Sequence, residues 1–217
     1  MGWLEGAAQR VAGRVGSALS YPQERVEVLA YGFFGLFQTA FLLLAVGALG
    51  GLSGRLGEAL TALVGGSLLR RLCGGAHAPS PFLCGAVSAL SCWGMGLLSG
   101  WALPLSLPRP LWLAGAAALS LLSILAISLW APVDHPNKRL RDARLRAAFR
   151  RRGVALASLL AALSLAGGFA GGGWRSCGGA LCLAICWQAA SLTPAAVRLA
   201  KRLAGAPAPA GKGGDMT

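Results

Sequence analysis

The strongest constraint on this chain is where its charges are missing. Six apolar segments run at about 28–52, 56–69, 81–103, 111–131, 153–172 and 177–197, and Glu58 is the sole Asp, Glu, Lys or Arg inside them. A helix needs roughly 20 apolar residues to cross the hydrocarbon core of a bilayer, where every backbone polar group must find its partner within the segment. The chain is only 12% charged, with a mean hydropathy of +0.62, whereas a soluble domain carries about 25% charged residues. The pattern predicts an all-α integral membrane protein of about six transmembrane helices. The second segment is shorter than the usual lower limit of about 17 residues.

The placement of the basic residues argues for keeping that short segment. With six spans and a cytoplasmic N-terminus, 17 of the 20 Lys and Arg fall on the inner side. They are Arg10, Arg14 and Arg25, then Arg70 and Arg71, then eight between Lys138 and Arg152, then Arg198, Lys201, Arg202 and Lys212. Arg55, Arg109 and Arg175 fall outside. Cytoplasmic loops carry the excess of Lys and Arg in membrane proteins. Without the second segment, the N-terminus and the basic 138–152 loop would lie on opposite faces. Both termini are therefore expected in the cytoplasm. The net charge of +13 is explained by topology and by contact with anionic lipid, and nucleic acid is not an expected partner. The basic inner face would also suit an acidic peptide.

Residues 1–25 are expected to form a cytoplasmic segment with an amphipathic helix on the membrane surface. Leu4, Ala7, Ala8, Val11, Val15 and Ala18 recur at helical spacing. No apolar core of a cleavable signal peptide precedes residue 25. Residues 26–204 form the membrane domain, and 205–217, rich in Ala, Pro and Gly, are expected to be disordered. Trp101, Trp112 and Trp174 flank the outer loops and Trp130 an inner one, as an aromatic belt would. Trp93 and Trp187 fall within spans and need packing partners. Gly96/Gly100 and Gly167/Gly171 are spaced for close helix approach. Packing within one bundle is favoured over a homodimer interface.

Between the second and third segments the chain reads Arg70-Arg71-Leu72-Cys73-Gly74-Gly75-Ala76-His77-Ala78-Pro79-Ser80-Pro81-Phe82-Leu83-Cys84. Its glycines and prolines end one helix and start another. Ser80-Pro81 reads as an N-cap followed by Pro at the first helical position. Cys84 then lies in the first turn. A helix N-terminus favours negative charge on the sulfur, and the N–H groups of Phe82 and Leu83 could receive an oxyanion. The break lets His77 fold back as the base for Cys84, a dyad for nucleophilic acyl transfer. Seven residues of continuous helix would hold the two about 10 Å apart.

Other readings stand beside this one. Cys84 could be a packing residue. Cys73, His77, Cys84 and Cys92 offer metal-ligand atoms, at a spacing that matches no usual zinc module. Cys182 and Cys186 read as packing residues, and His135 as a solvated loop residue. A small peptide transporter or exporter is the alternative function, although ionisable residues to line a path are scarce in the spans.

The stretch Arg70-Arg71 to His77-Ala78, followed by Cys84, resembles the signature of the accessory gene regulator B (AgrB) family. Ala131-Pro132-Val133-Asp134 and Asn137-Lys138 resemble a second motif of that family. The resemblance implies a membrane cysteine endopeptidase of bacterial quorum sensing, in the cell membrane, with its active site on the cytoplasmic side. It implies His77 as base and Cys84 as nucleophile, and no cofactor. The implied substrate is an AgrD-like precursor peptide, cut and then closed into a thiolactone or lactone autoinducing peptide.

Overall fold

The structure is a computed structural model that describes residues 3–76, 80–102, 107–133 and 142–203. The described residues are almost entirely helical. In chain order the helices are α1 (Trp3–Ala18), α2 (Gln23–Leu52), α3 (Leu56–Cys73), α4 (Pro81–Leu97), α5 (Arg109–Trp130), α6 (Ala143–Ala170), α7 (Gly172–Leu192) and α8 (Pro194–Leu203). A π-helical turn, Leu98–Ala102, continues α4. α2, α4 with its π turn, α5 and α6 are each long and apolar enough to cross a membrane, and α7 with α8 makes a fifth candidate, bent by 70°.

α3 and α7 form the centre. α3 packs against α2, α4, α6 and α7, and α7 against α3, α4, α5 and α6. This placement explains why the shortest apolar segment belongs to the bundle. Seven of the 18 residues of α3 are buried among these helices, Glu58 included. Glu58 is buried and takes a 3.2 Å ion pair from Arg55. α2 is the opposite case. Of its 30 residues only Val46 and Gly50 are buried, and leucines such as Leu36, Leu43 and Leu44 face outward, as an apolar solvent allows.

α2 through α7 alternate in direction, so the bundle has two ends. Ile127 of α5 and Gly153 of α6 pack beside Cys73 at one end. Trp112 packs beside Gly168 at the other, with Arg55 beside Gly100. The basic residues sort with the ends. Arg70, Arg71, Arg144, Arg146, Arg150, Arg151 and Arg152 are at the end that holds Cys84, and Arg55, Arg109 and Arg175 at the other.

Several boundaries differ from the sequence reading. The basic 138–152 region is not all loop. Asp142 caps α6, accepting from the Arg144 N–H at 2.8 Å, and helix runs from Ala143 onward. Alanines, leucine and arginines favour helix there. α7 begins directly after α6, at Gly172, because Gly171 (φ +78) and Gly172 (φ +53) reverse the chain without a loop. The sixth segment stops at Leu192. Pro194 cannot donate to the helix, and Thr193 before it is extended.

α1 turns the small side chains of Ala8, Ala12 and Gly16 inward, with Gly16 against Val26 of α2. Trp112 departs from the belt reading. It is 4% exposed and lies beneath Arg175, whose guanidinium carbon is 5.5 Å from its ring. Trp101, Trp174 and Trp130 are exposed near helix ends. The 205–217 tail lies outside the described residues.

Candidate active site

Cys84 sits where the sequence places it. Ser80 is the N-cap of α4, its Oγ accepting from the Leu83 N–H at 3.2 Å. The Cys84 N–H donates to the Ser80 carbonyl at 3.0 Å. The sulfur is therefore in the first turn and half-buried. The cap corrects one expectation: the Leu83 N–H is already committed to Ser80, so it is not held ready for an oxyanion.

His77 lies outside the described residues, with Ala78 and Pro79, and so do Asp134 and His135. The chain leading to His77 is described as far as Ala76, and it is strongly held. α3 ends because Gly74 has a φ of +69, and Gly75 follows at +139, conformations that a side chain disfavours. There is no room for one either. A Cβ on Gly74 would strike the Val133 carbonyl, and one on Gly75 would sit 2.8 Å from Ser191 Oγ.

Two elements far apart in sequence grip this strap. Gln188 of α7, buried to 2% exposure, donates from Nε2 to the Gly74 carbonyl at 2.7 Å. One helical turn on, the Ser191 carbonyl accepts the Ala76 N–H at 3.0 Å. Val133 N–H donates to the Cys73 carbonyl at 2.9 Å, and Gly74 and Val133 form a parallel bridge. Arg150 fixes that second segment by donating to the Ala131 carbonyl at 2.8 Å. The two stretches that carried the family resemblance, some 60 residues apart, are thus hydrogen-bonded neighbours.

Arg70 completes the arrangement. Its Nη2 donates to the Ala76 carbonyl at 2.7 Å and lies 3.9 Å from Cys84 Sγ. A guanidinium beside a sulfur is a donor for charge that develops near it. Gln188 and Ser191 were not singled out by the sequence reading, and Arg70 figured there only as an inner-face charge and as part of a motif. A Gln within an apolar segment was the available signal, since a buried amide needs a partner.

Cys84 opens into a groove of about 300 Å³. Arg70, Ala76 and Ser191 also line it, and Leu83, Val87, Trp187, Ala196, Leu199 and Ala200 supply apolar surface. Cys73 and Cys92 are not brought to it. Cys73 is in a core shared by α3, α5, α6 and α7, and Cys92 in one shared by α2, α3, α4 and α7. Among the described residues no three His, Cys, Asp or Glu side chains gather as a metal site would. Cys182 is buried between α5 and α7, 3.7 Å from Ser120 Oγ, and Cys186 accepts from Ser123 at 3.4 Å.

The family model for Accessory gene regulator B matches residues 8–192. AgrB-like protein 2 of Clostridium perfringens strain 13 is 28% identical over 140 residues, which is 64% of this chain and 64% of that protein. A second AgrB-like protein, from C. perfringens strain SM101, is 36% identical over 81 residues, 37% of this chain and 38% of that one. The chain thus matches just under two thirds of the first relative's length. No solved structure matches. The match covers the strap, Cys84 and α2 through α7, and the chain belongs to the accessory gene regulator B family.

Proposed function

We propose that the protein is a membrane cysteine endopeptidase that cuts a small precursor peptide and promotes its cyclisation. The observation that carries this reading is the convergence on one thiol. Cys84 is in the first turn of α4, opens into a groove, has Arg70 beside it, and faces a strap that leads directly to His77. A packing cysteine requires none of this.

In the proposed reaction His77 takes the proton from Cys84, and the sulfur attacks a peptide carbonyl. Arg70 lies where it can stabilise the charge that develops. Collapse of the tetrahedral adduct breaks the C–N bond, and the proton on His77 leaves with the amine. The remaining thioester keeps the acyl group activated. A thiol or hydroxyl of the substrate then displaces Cys84, closing a thiolactone or lactone ring and restoring the enzyme thiol. Each atom and proton is accounted for without a cofactor.

The topology we propose has six spans, α2 through α7, with the Cys84 end and both termini in the cytoplasm. The basic residues at that end and the three arginines at the other support it. The substrate is an AgrD-like peptide, and its acidic part would meet the basic inner face. Cys84→Ala and His77→Ala are each expected to abolish precursor cleavage by protein that still inserts, and Cys73→Ala to retain it. Normal cleavage by Cys84→Ala would refute the assignment.

A further inference from the structure

We propose that the groove beside Cys84 is a binding subsite for apolar side chains on the acyl side of the attacked bond, and that α8 is its specificity-determining wall. This rests on Cys84 being the nucleophile. At about 300 Å³, the groove is at the small end of ligand pockets. It has room for one or two large side chains rather than a length of peptide.

Its lining holds two kinds of chemistry. Arg70, whose Nη2 is 3.9 Å from Cys84 Sγ, and Ser191 are polar, and Leu83, Val87, Trp187 and α8 supply apolar surface. A peptide matches both, with carbonyls for the polar groups and side chains for the apolar ones. A hydrocarbon chain matches only the apolar surface, and would leave the polar groups facing it. Trp187, 47% exposed although it is in an apolar helix, is accounted for as part of that surface.

α8 is built for the same task. After the 70° bend at Thr193–Pro194, Ala196, Leu199, Ala200 and Leu203 recur at helical spacing and line the groove. Arg198, Lys201 and Arg202 are exposed around the rest of the helix. An apolar floor under a basic rim fits a peptide whose apolar residues at the cut are accompanied by acidic ones.

The test uses reagents that report the acyl side directly. The purified full-length protein is treated with acetyl-Leu-Phe chloromethyl ketone or acetyl-Gly-Ala chloromethyl ketone. In each case the Cys84 sulfur displaces chloride. Alkylation at Cys84 is followed by mass spectrometry, and each rate is divided by that of iodoacetamide for the same protein. The Leu-Phe reagent should be about tenfold faster or more, the size expected from burying a large apolar side chain. Ala196→Trp and Ala200→Trp, which fill the groove, and a stop after Thr193, which removes α8, should each bring the ratio to within about twofold of one. A wild-type ratio near one, or an unchanged ratio in all three variants, would overturn the proposal. So would loss of the preference when phosphatidylglycerol is added, because lipid would then be the occupant. Failure of the peptidase reading is distinguishable, since it is read from precursor cleavage by Cys84→Ala and leaves these ratios measurable.

Discussion

One guanidinium links the strap that enters His77 to the thiol 14 residues beyond it: Arg70 Nη2 is 2.7 Å from the Ala76 carbonyl and 3.9 Å from Cys84 Sγ. Arg presents several donors in a fixed plane, and Lys a single charged point that cannot hold both partners in the same geometry. Arg70→Lys is therefore expected to lower kcat for precursor cleavage by about 100-fold, the scale of losing one preorganised donor. Arg71→Lys, at an exposed neighbour, should change it by less than about twofold. Single-turnover cleavage by the two variants, side by side, checks this. Unchanged cleavage by Arg70→Lys would mean that local charge, rather than the Arg70 geometry, matters.

Gln188 grips the same strap from α7. Gln188→Leu keeps the bulk but leaves the Gly74 carbonyl without its 2.7 Å donor. An unsatisfied buried acceptor costs about 1–3 kcal/mol. The variant should melt at lower temperature in detergent and should cleave more slowly, because the residues before His77 lose an anchor. Gln188→Glu places an acceptor against an acceptor and should be worse than Gln188→Leu at neutral pH. If both variants match the wild type in melting and cleavage, the strap is held by its other contacts alone.

The sequence disclosed those features of this fold that are written locally. Charge-free runs mark α2, α4, α5, α6 and α7, and Ser80-Pro81 marks the start of α4. The glycine pair marks the end of α3. The basic residues identified the two ends before any packing was seen. What stayed hidden is what tertiary contact decides. Gln188 and Gly74 are 114 residues apart, and no periodicity connects them. Trp112 looked like a belt residue because its place in the chain is near a helix end, yet α7 lays Arg175 across it. The basic region read as loop because charge is scarce in membrane helices, although Asp142 is a good cap and the residues after it are good helix formers. Pro194 did carry its signal, and the break in α7 follows from it.

α6 and α7 approach so closely that Gly178 has no room for a side chain. Ser164 Oγ donates to the Gly178 carbonyl at 2.6 Å, and a Cβ on Gly178 would sit 2.5 Å from the Ser164 carbonyl. Backbone cannot yield as a flexible side chain can. Gly178→Ala is expected to destabilise the protein by about 1–3 kcal/mol, as overpacking does. Gly94→Ala, where nothing lies within 4 Å of the added Cβ, should be neutral or stabilise by up to about 1 kcal/mol, because Ala is the better helix former. Thermal unfolding in one detergent measures both. A stable Gly178→Ala would mean that the α6–α7 hairpin is looser than its hydrogen bond indicates.

The proposed topology makes a prediction that neither charge counting nor the fold alone can supply. In a variant with the six native cysteines replaced, single cysteines are introduced at Gly173, Arg71 and Arg198, all exposed positions. A membrane-impermeant maleimide added to intact bacterial cells should label Gly173→Cys at once. It should label Arg71→Cys and Arg198→Cys only after permeabilisation. Arg71 ends α3 and Arg198 lies beyond α7, so four helices separate them. Both can face the cytoplasm only if an even number of α4 to α7 cross, as all four do in the proposed topology. Labelling of Arg71 and Arg198 from opposite sides would therefore remove one span from the count. Labelling of all three positions in the reverse sense would keep the six spans and invert them, against the pull that arginine exerts on orientation.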